Sequence, residues 1–303
     1  LIGGVRILLM VDIPKILNRI TMYDFINQVI DEDMQPRACE LCINFSGLVF
    51  IEPAGVTILS NVTEWLFKRD VKVFYNYPKI PELNRAFCFL DDSQFFQRYV
   101  GKSARKFASV RDTTIPLELV AYSDSYQWLE RTKSWFAKKL NVPARSLSTI
   151  NVCFQEIFNN INDHSQENIG CVFAQHFPNK NEIQVAISDF GVGIPHNIQR
   201  VNPWLNDAEA IGKAIEVGFS TKSTPNNRGA GLDTLIHNVV INNHGSVYIH
   251  SNNGILNCNY NAVDGLSIQP VIAYGFYPGT LIQINFRTDQ ILNILDEEEE
   301  FEW

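Results

Sequence analysis

Asp189-Phe190-Gly191-Val192-Gly193-Ile194-Pro195 follows a stretch in which Ile183, Val185 and Ile187 recur at every second position. That period of two predicts a strand from Glu182 to Ser188, with an acidic residue just past its end. A carboxylate at a strand end can accept a hydrogen bond from an exocyclic amine. Two glycines let the backbone approach a flat ring or take a positive φ. A D-x-G-x-G match alone reads equally well as an ordinary turn, so its meaning depends on what flanks it.

Upstream, Ile150, Cys153, Phe154, Ile157, Phe158 and Ile161 fall at helical spacing and predict a core-facing stripe on a helix from Arg145 to His164. Glu156, Asn160, Asp163 and His164 form a second stripe beside it. That stripe fits a solvated face. It also fits hard donors that hold Mg²⁺ while a carboxylate orients water or a hydroxyl. Downstream, Gly218-Phe219-Ser220-Thr221-Lys222 and Arg228-Gly229-Ala230-Gly231-Leu232 lead into a helical pattern, Leu232, Leu235, Ile236, Val239 and Val240. Glycines ahead of a helix N-terminus make an anion site, because free N–H groups and the helix dipole favour phosphate. Lys222 and Arg228 would neutralise phosphate charge, although a capped surface loop has the same pattern. No G-x-x-x-x-G-K-[ST] loop occurs. Gly279-Thr280 then turns into an alternating strand, Leu281 to Phe286, where Thr280 offers a hydroxyl.

The remaining elements of this half are a strand at Ile115–Tyr122, a helix at Asp124–Leu140, and strands at Gly170–His176, Ser246–His250 and Ile255–Tyr260. Helices come early and hairpin strands late, which predicts an α+β two-layer sandwich over residues 114–290. The order of its motifs resembles the GHKL ATPase superfamily, which includes gyrase B, Hsp90, MutL, histidine kinases and anti-sigma serine kinases. The resemblance implies the Bergerat nucleotide fold with ATP and Mg²⁺ as cofactors. It implies Asn160 on Mg²⁺, Asp189 on the adenine amine, Gly191 and Gly193 at the base, and Thr280 near the adenine. It places Asp163, His164, Ser220, Thr221, Lys222, Arg228, Gly229, Gly231 and Leu232 around the nucleotide. Histidine kinases usually carry Asn four residues before the metal-binding Asn. Glu156 stands there in this chain, as in hydrolytic members and anti-sigma kinases, and is the expected catalytic base. An extra helix, Asp207 to Val217, departs from the small anti-sigma kinases.

The first 113 residues alternate differently. Strands at Val5–Val11, Glu40–Phe45 and Val71–Tyr75 enclose helices at Ile13–Ile30 and Pro53–Lys68, an α/β pattern. The aromatic-rich stretch from Asn84 to Thr114 reads as a packed connector. Ile43-Asn44-Phe45-Ser46-Gly47-Leu48-Val49-Phe50-Ile51-Glu52-Pro53-Ala54-Gly55-Val56 is similar to the strand–loop–helix of STAS domains. That family carries a phosphorylatable Ser just before the Gly. Pro53 and Ala54 stand there in this chain, so the resemblance does not extend to phosphorylation, and a plain α/β domain remains the alternative.

Composition bounds the rest. The 303 residues are 46% hydrophobic and 19% charged, which suits a chain with a real core. The net charge is −8. Without the six acidic residues of the tail, 291–303, it is −2, so no basic footprint for nucleic acid is visible. No run of about 18 apolar residues is present to span a membrane. Six scattered cysteines read as reduced thiols, and the expected location is cytoplasmic. The expectation is therefore a nucleotide-controlled regulatory switch with ATPase or serine/threonine kinase activity, acting on its own STAS-like domain or a separate protein regulator. The alternative is a non-catalytic ATP-binding scaffold that sequesters a partner. A homodimer stays open.

Overall fold

The computed structural model describes residues 8–164, 169–216 and 231–294, with backbone alone at 160–164, 169, 231 and 292–294. The chain divides into two compact units, Leu1–Glu118 and Leu119–Trp303.

The first unit runs β1 (Leu9–Asp12), β2 (Ile16–Leu17), α1 (Met22–Val29), β3 (Glu40–Asn44), β4 (Phe50–Ile51), α2 (Pro53–Phe67), β5 (Lys72–Asn76), α3 (Arg85–Asp92) and α4 (Phe95–Val100). Its sheet is parallel, in the order β1-β3-β5, and β2 pairs with β4 in a second parallel pair. The long helix expected at Ile13–Ile30 is cut short. Ile16 and Leu17 pair with Phe50 and Ile51, and the Asn18 side chain accepts the Ile20 and Thr21 amides in a turn that delays the helix to Met22. The Asn84–Thr114 stretch supplies α3, α4 and an aromatic core. There Phe96 stacks edge-on to Phe45 at 5.4 Å and lies 4.9 Å from Phe87. A buried carboxylate, Asp91, orders the segment after α4. It accepts the Ala104 and Arg105 amides at 2.9 Å each and pairs with the Arg105 guanidinium at 3.1 Å.

The second unit is built on β6 (Thr114–Ala121), which spans the division, followed by α5 (Ser125–Leu140), α6 (Ser148–His164), β7 (Ile169–Phe177), β8 (Glu182–Asp189), α7 (Ile194–Gln199), α8 (Asp207–Ala214), α9 (Gly231–Ile236), β9 (Ser246–Asn261) and β10 (Gly265–Arg287). The five strands form one sheet, β6-β7-β8-β10-β9, with β7, β8, β10 and β9 each antiparallel to the next. Register decides which side chains share a face, since residues directly opposite in antiparallel strands point the same way. Ile183, Val185 and Ile187 on β8 therefore lie beside Phe286, Ile284 and Ile282 on β10, and beside Val247 and Ile249 on β9. All are buried. Helices α5 and α6 cover this face: Phe286 meets Phe136 at 5.6 Å and Phe154 at 6.0 Å, and Trp128 meets Phe154 and Phe158. The α6 stripe Ile150, Cys153, Phe154, Ile157 and Phe158 is buried as its spacing predicts.

Two expectations are corrected. The strands expected at Ser246–His250 and Ile255–Tyr260 are one 16-residue strand, and the strand expected at Leu281–Phe286 is the end of a 23-residue one. Together they form a long hairpin, and α8 packs on it. Pro270, Gly275, Pro278 and Gly279 hide this extension in the sequence. Each reads as a breaker, yet Pro270 stays in register opposite Leu256, and register shifts between Ile272 and Thr280 absorb the other three.

Candidate functional site

The apolar rows of the helix-covered face end in a polar row. Asp189 lies opposite Thr280 on β10, and Thr280 lies opposite Ser251 on β9, so three adjacent strands present a carboxylate and two hydroxyls on one face. Asp189 is 5% exposed, Thr280 8% and Ser251 0%. Burial is the largest influence on the Asp189 carboxyl. It pushes the pKa from 3.8 up to about 7, against the opposing effect of the Gly191 N–H, which donates to Oδ1 at 2.7 Å. Oδ2 has no donor among the described residues.

The glycine turn is held from both sides. Gly193 has φ +82, and a Cβ there would meet Ser251 Oγ at 2.7 Å and Asn252 Oδ1 at 2.8 Å. Gly279 has φ +86, and a Cβ there would meet the Asp189 carbonyl oxygen at 2.3 Å. No L side chain fits either position without moving backbone or breaking a polar contact. Ser251 Oγ accepts the Ile194 N–H at 2.9 Å, donates to the Gly279 carbonyl at 2.7 Å and lies 3.1 Å from Thr280 Oγ1. Asn252 Nδ2 donates to the Val192 carbonyl at 3.4 Å. Asp189, Gly191, Gly193 and Thr280, separated by up to 91 positions in the sequence, thus share one constellation.

Sequence reasoning missed Ser251 and Asn252. Both follow directly on the alternation Val247, Ile249, and Ser251-Asn252-Asn253 reads as a turn that ends a strand. The available signal was a serine continuing the parity of Val247 and Ile249. His250, also unforeseen, is fully buried on the opposite face, 5.6 Å from the Tyr277 ring. Burial, opposed by a backbone hydrogen bond at Asn252, lowers its pKa from 6.5 to about 4.

The remaining expected residues divide into two groups. Glu156 is half-buried on α6. Its helix packs against α9, and Asn238, just past α9, contacts Cys153 Sγ through Nδ2 at 3.9 Å. Leu232 is buried on α9, which begins at Gly231 and continues as a π-helical turn over His237–Asn242. Ser220, Thr221, Lys222, Arg228 and Gly229 lie outside the described residues, as do the side chains of Asn160, Asp163 and His164. Among the described residues, no three His, Cys, Asp or Glu side chains are grouped to hold a metal. No helix among them is long and apolar enough to cross a membrane.

A largely buried carboxyl with one oxygen unclaimed by the described residues, next to a fixed hydroxyl, suits a flat heterocycle bearing an N–H donor. No protein-family model and no curated protein matches the chain.

Proposed function

We propose that the second unit is an ATP-binding GHKL module and that the chain is a nucleotide-controlled regulatory switch whose first unit is a STAS-like domain. One observation carries this reading: the polar row Asp189–Thr280–Ser251 at the end of the helix-covered sheet face, closed by the Gly191–Gly193 turn. Asp189 takes the exocyclic amine of adenine, and Gly193 lets the turn beside it close against Ser251 and Asn252. Asn160 is the proposed Mg²⁺ ligand, and Lys222, Arg228 and the start of α9 the proposed phosphate partners. Glu156 is the proposed base, acting on water or on a protein hydroxyl, with catalysis resting on positioning and electrostatics. The regulated partner is the STAS-like unit or a separate protein.

The test is a calorimetric titration of the full chain with ATP and a non-hydrolysable analogue. Wild type binds, and Asp189→Asn loses binding because its amide offers a donor where an acceptor is needed. Unchanged affinity in that variant overturns the adenine assignment. Glu156→Ala keeps binding and loses phosphate release or protein labelling from γ-labelled ATP. Tight binding with neither product in wild type assigns the scaffold role instead.

A further inference from the structure

Ser251 carries more contacts than a core hydroxyl needs. A serine hydroxyl has one proton and two lone pairs. The Gly279 carbonyl, 2.7 Å away, can only accept, so the Ser251 proton is spent there. The Ile194 N–H can only donate, so it takes one lone pair. What remains for Thr280 Oγ1, at 3.1 Å, is the second lone pair. Thr280 must therefore give its own proton to Ser251. With that proton gone, Thr280 Oγ1 has only lone pairs left for anything bound beside Asp189.

We infer that Ser251 is a positioning residue that sets base selectivity: by taking the Thr280 proton it makes Thr280 an obligate acceptor, so the row favours a purine with an amine over one with a carbonyl at the same position. The inference rests on the nucleotide reading and deepens it. Ser251 need not touch the ligand, because it acts through the direction of one hydroxyl. Without it, the Thr280 hydroxyl is free to rotate and donate, and a 6-oxo purine becomes acceptable. The same serine also holds the Ile194 end of the glycine turn, so a loss of affinity alone would not separate the two roles, whereas a change in preference does.

The experiment measures the affinities of ATP and ITP, which differ in the 6-amine against the 6-oxo group and in N1, an acceptor in ATP and an N–H donor in ITP, for the full chain as wild type, Ser251→Ala, Thr280→Val and the double variant. Wild type favours ATP, and Ser251→Ala cuts the ATP:ITP ratio by about tenfold, the scale of one lost hydrogen bond. Thr280→Val does the same, and the double variant falls no further than either single one, since both act through one hydroxyl. A urea unfolding curve establishes that each variant is folded. Should Ser251→Ala not fold, Ser251→Cys carries the test, because its thiol is a weak acceptor of similar size. A wild type that binds neither nucleotide overturns the nucleotide reading itself. A wild type that prefers ATP, with the ratio unchanged in the Ser251 variant or with additive losses in the double variant, overturns the inference and leaves that reading standing.

Discussion

Replacing Asp189 by Asn removes a titration from the protein interior, and its effect can be worked out without any ligand. The Asp189 carboxyl titrates near 7 in the folded protein, against 3.8 when unfolded. Between those values the folded state holds a proton that the unfolded chain has released. Stability from this group is therefore complete in acid and lost as pH rises through 7. About three pKa units at 1.36 kcal/mol each make the full swing roughly 4 kcal/mol. His250 acts oppositely. Its pKa is lowered from 6.5 to about 4, so the unfolded chain takes up a proton that the folded protein refuses. Its contribution is complete above 6.5 and lost as pH falls through 4, a swing of roughly 3 kcal/mol. The two slopes largely cancel between about pH 4 and 6.5, which hides both in the wild type. The difference between Asp189→Asn and wild type isolates the carboxyl, because every other titrating group is common to both. Urea unfolding at intervals from pH 4.5 to 8, without nucleotide, should show the variant gaining on wild type by about 3 kcal/mol across the range. Two curves that stay parallel would refute the claim that burial, rather than the Gly191 amide, governs this carboxyl.

The same geometry sets three further outcomes. An amine donated to Asp189 favours its charged form, so nucleotide binding at pH 6 should release a proton, and affinity should weaken as pH drops below 7; calorimetry in buffers of different ionisation enthalpy reads this directly, and binding with no proton release contradicts it. Gly279→Ala should cost about 3 kcal/mol or more, because it adds a backbone clash at Asp189 to the strain of φ +86, whereas Gly101→Ala, at φ +80 with nothing within 4 Å, should cost only about 1 kcal/mol; equal shifts in urea midpoint would deny the clash. Asp91→Ala should destabilise by about 1–3 kcal/mol, since it leaves the Ala104 and Arg105 amides without their buried acceptor while the Arg105 guanidinium keeps Asp92, and should speed amide exchange at Ala104 and Arg105, which now donate to it. Retained protection at those two amides would show the network to be incidental.

How much of the site was legible depends on which forces act locally. Ile183, Val185 and Ile187 announce β8 because a half-buried strand imposes period two on its own residues, and Asp189 stands out because it continues that parity with a charge. The α6 stripe is legible for the same reason at period 3.6. The alignment of Asp189 with Thr280 and Ser251 is not legible, because it is a property of register between strands up to 91 residues apart, and no local pattern encodes register. The long hairpin was missed where local rules are strongest: Pro270, Pro278 and Gly279 argue against a strand, and pairing with β9 overrides them. The helix expected from Ile13 failed in the opposite direction, as pairing of Ile16–Leu17 with Phe50–Ile51 outweighed an apolar pattern that continues into α1. These failures bear on the site itself. Gly279 is both the residue that disguises β10 as a turn and the residue whose missing side chain lets β10 approach the Asp189 carbonyl. The same property that broke the pattern in the sequence brings the carboxylate and the hydroxyl together, so the least regular stretch of the strand is where the polar row is assembled.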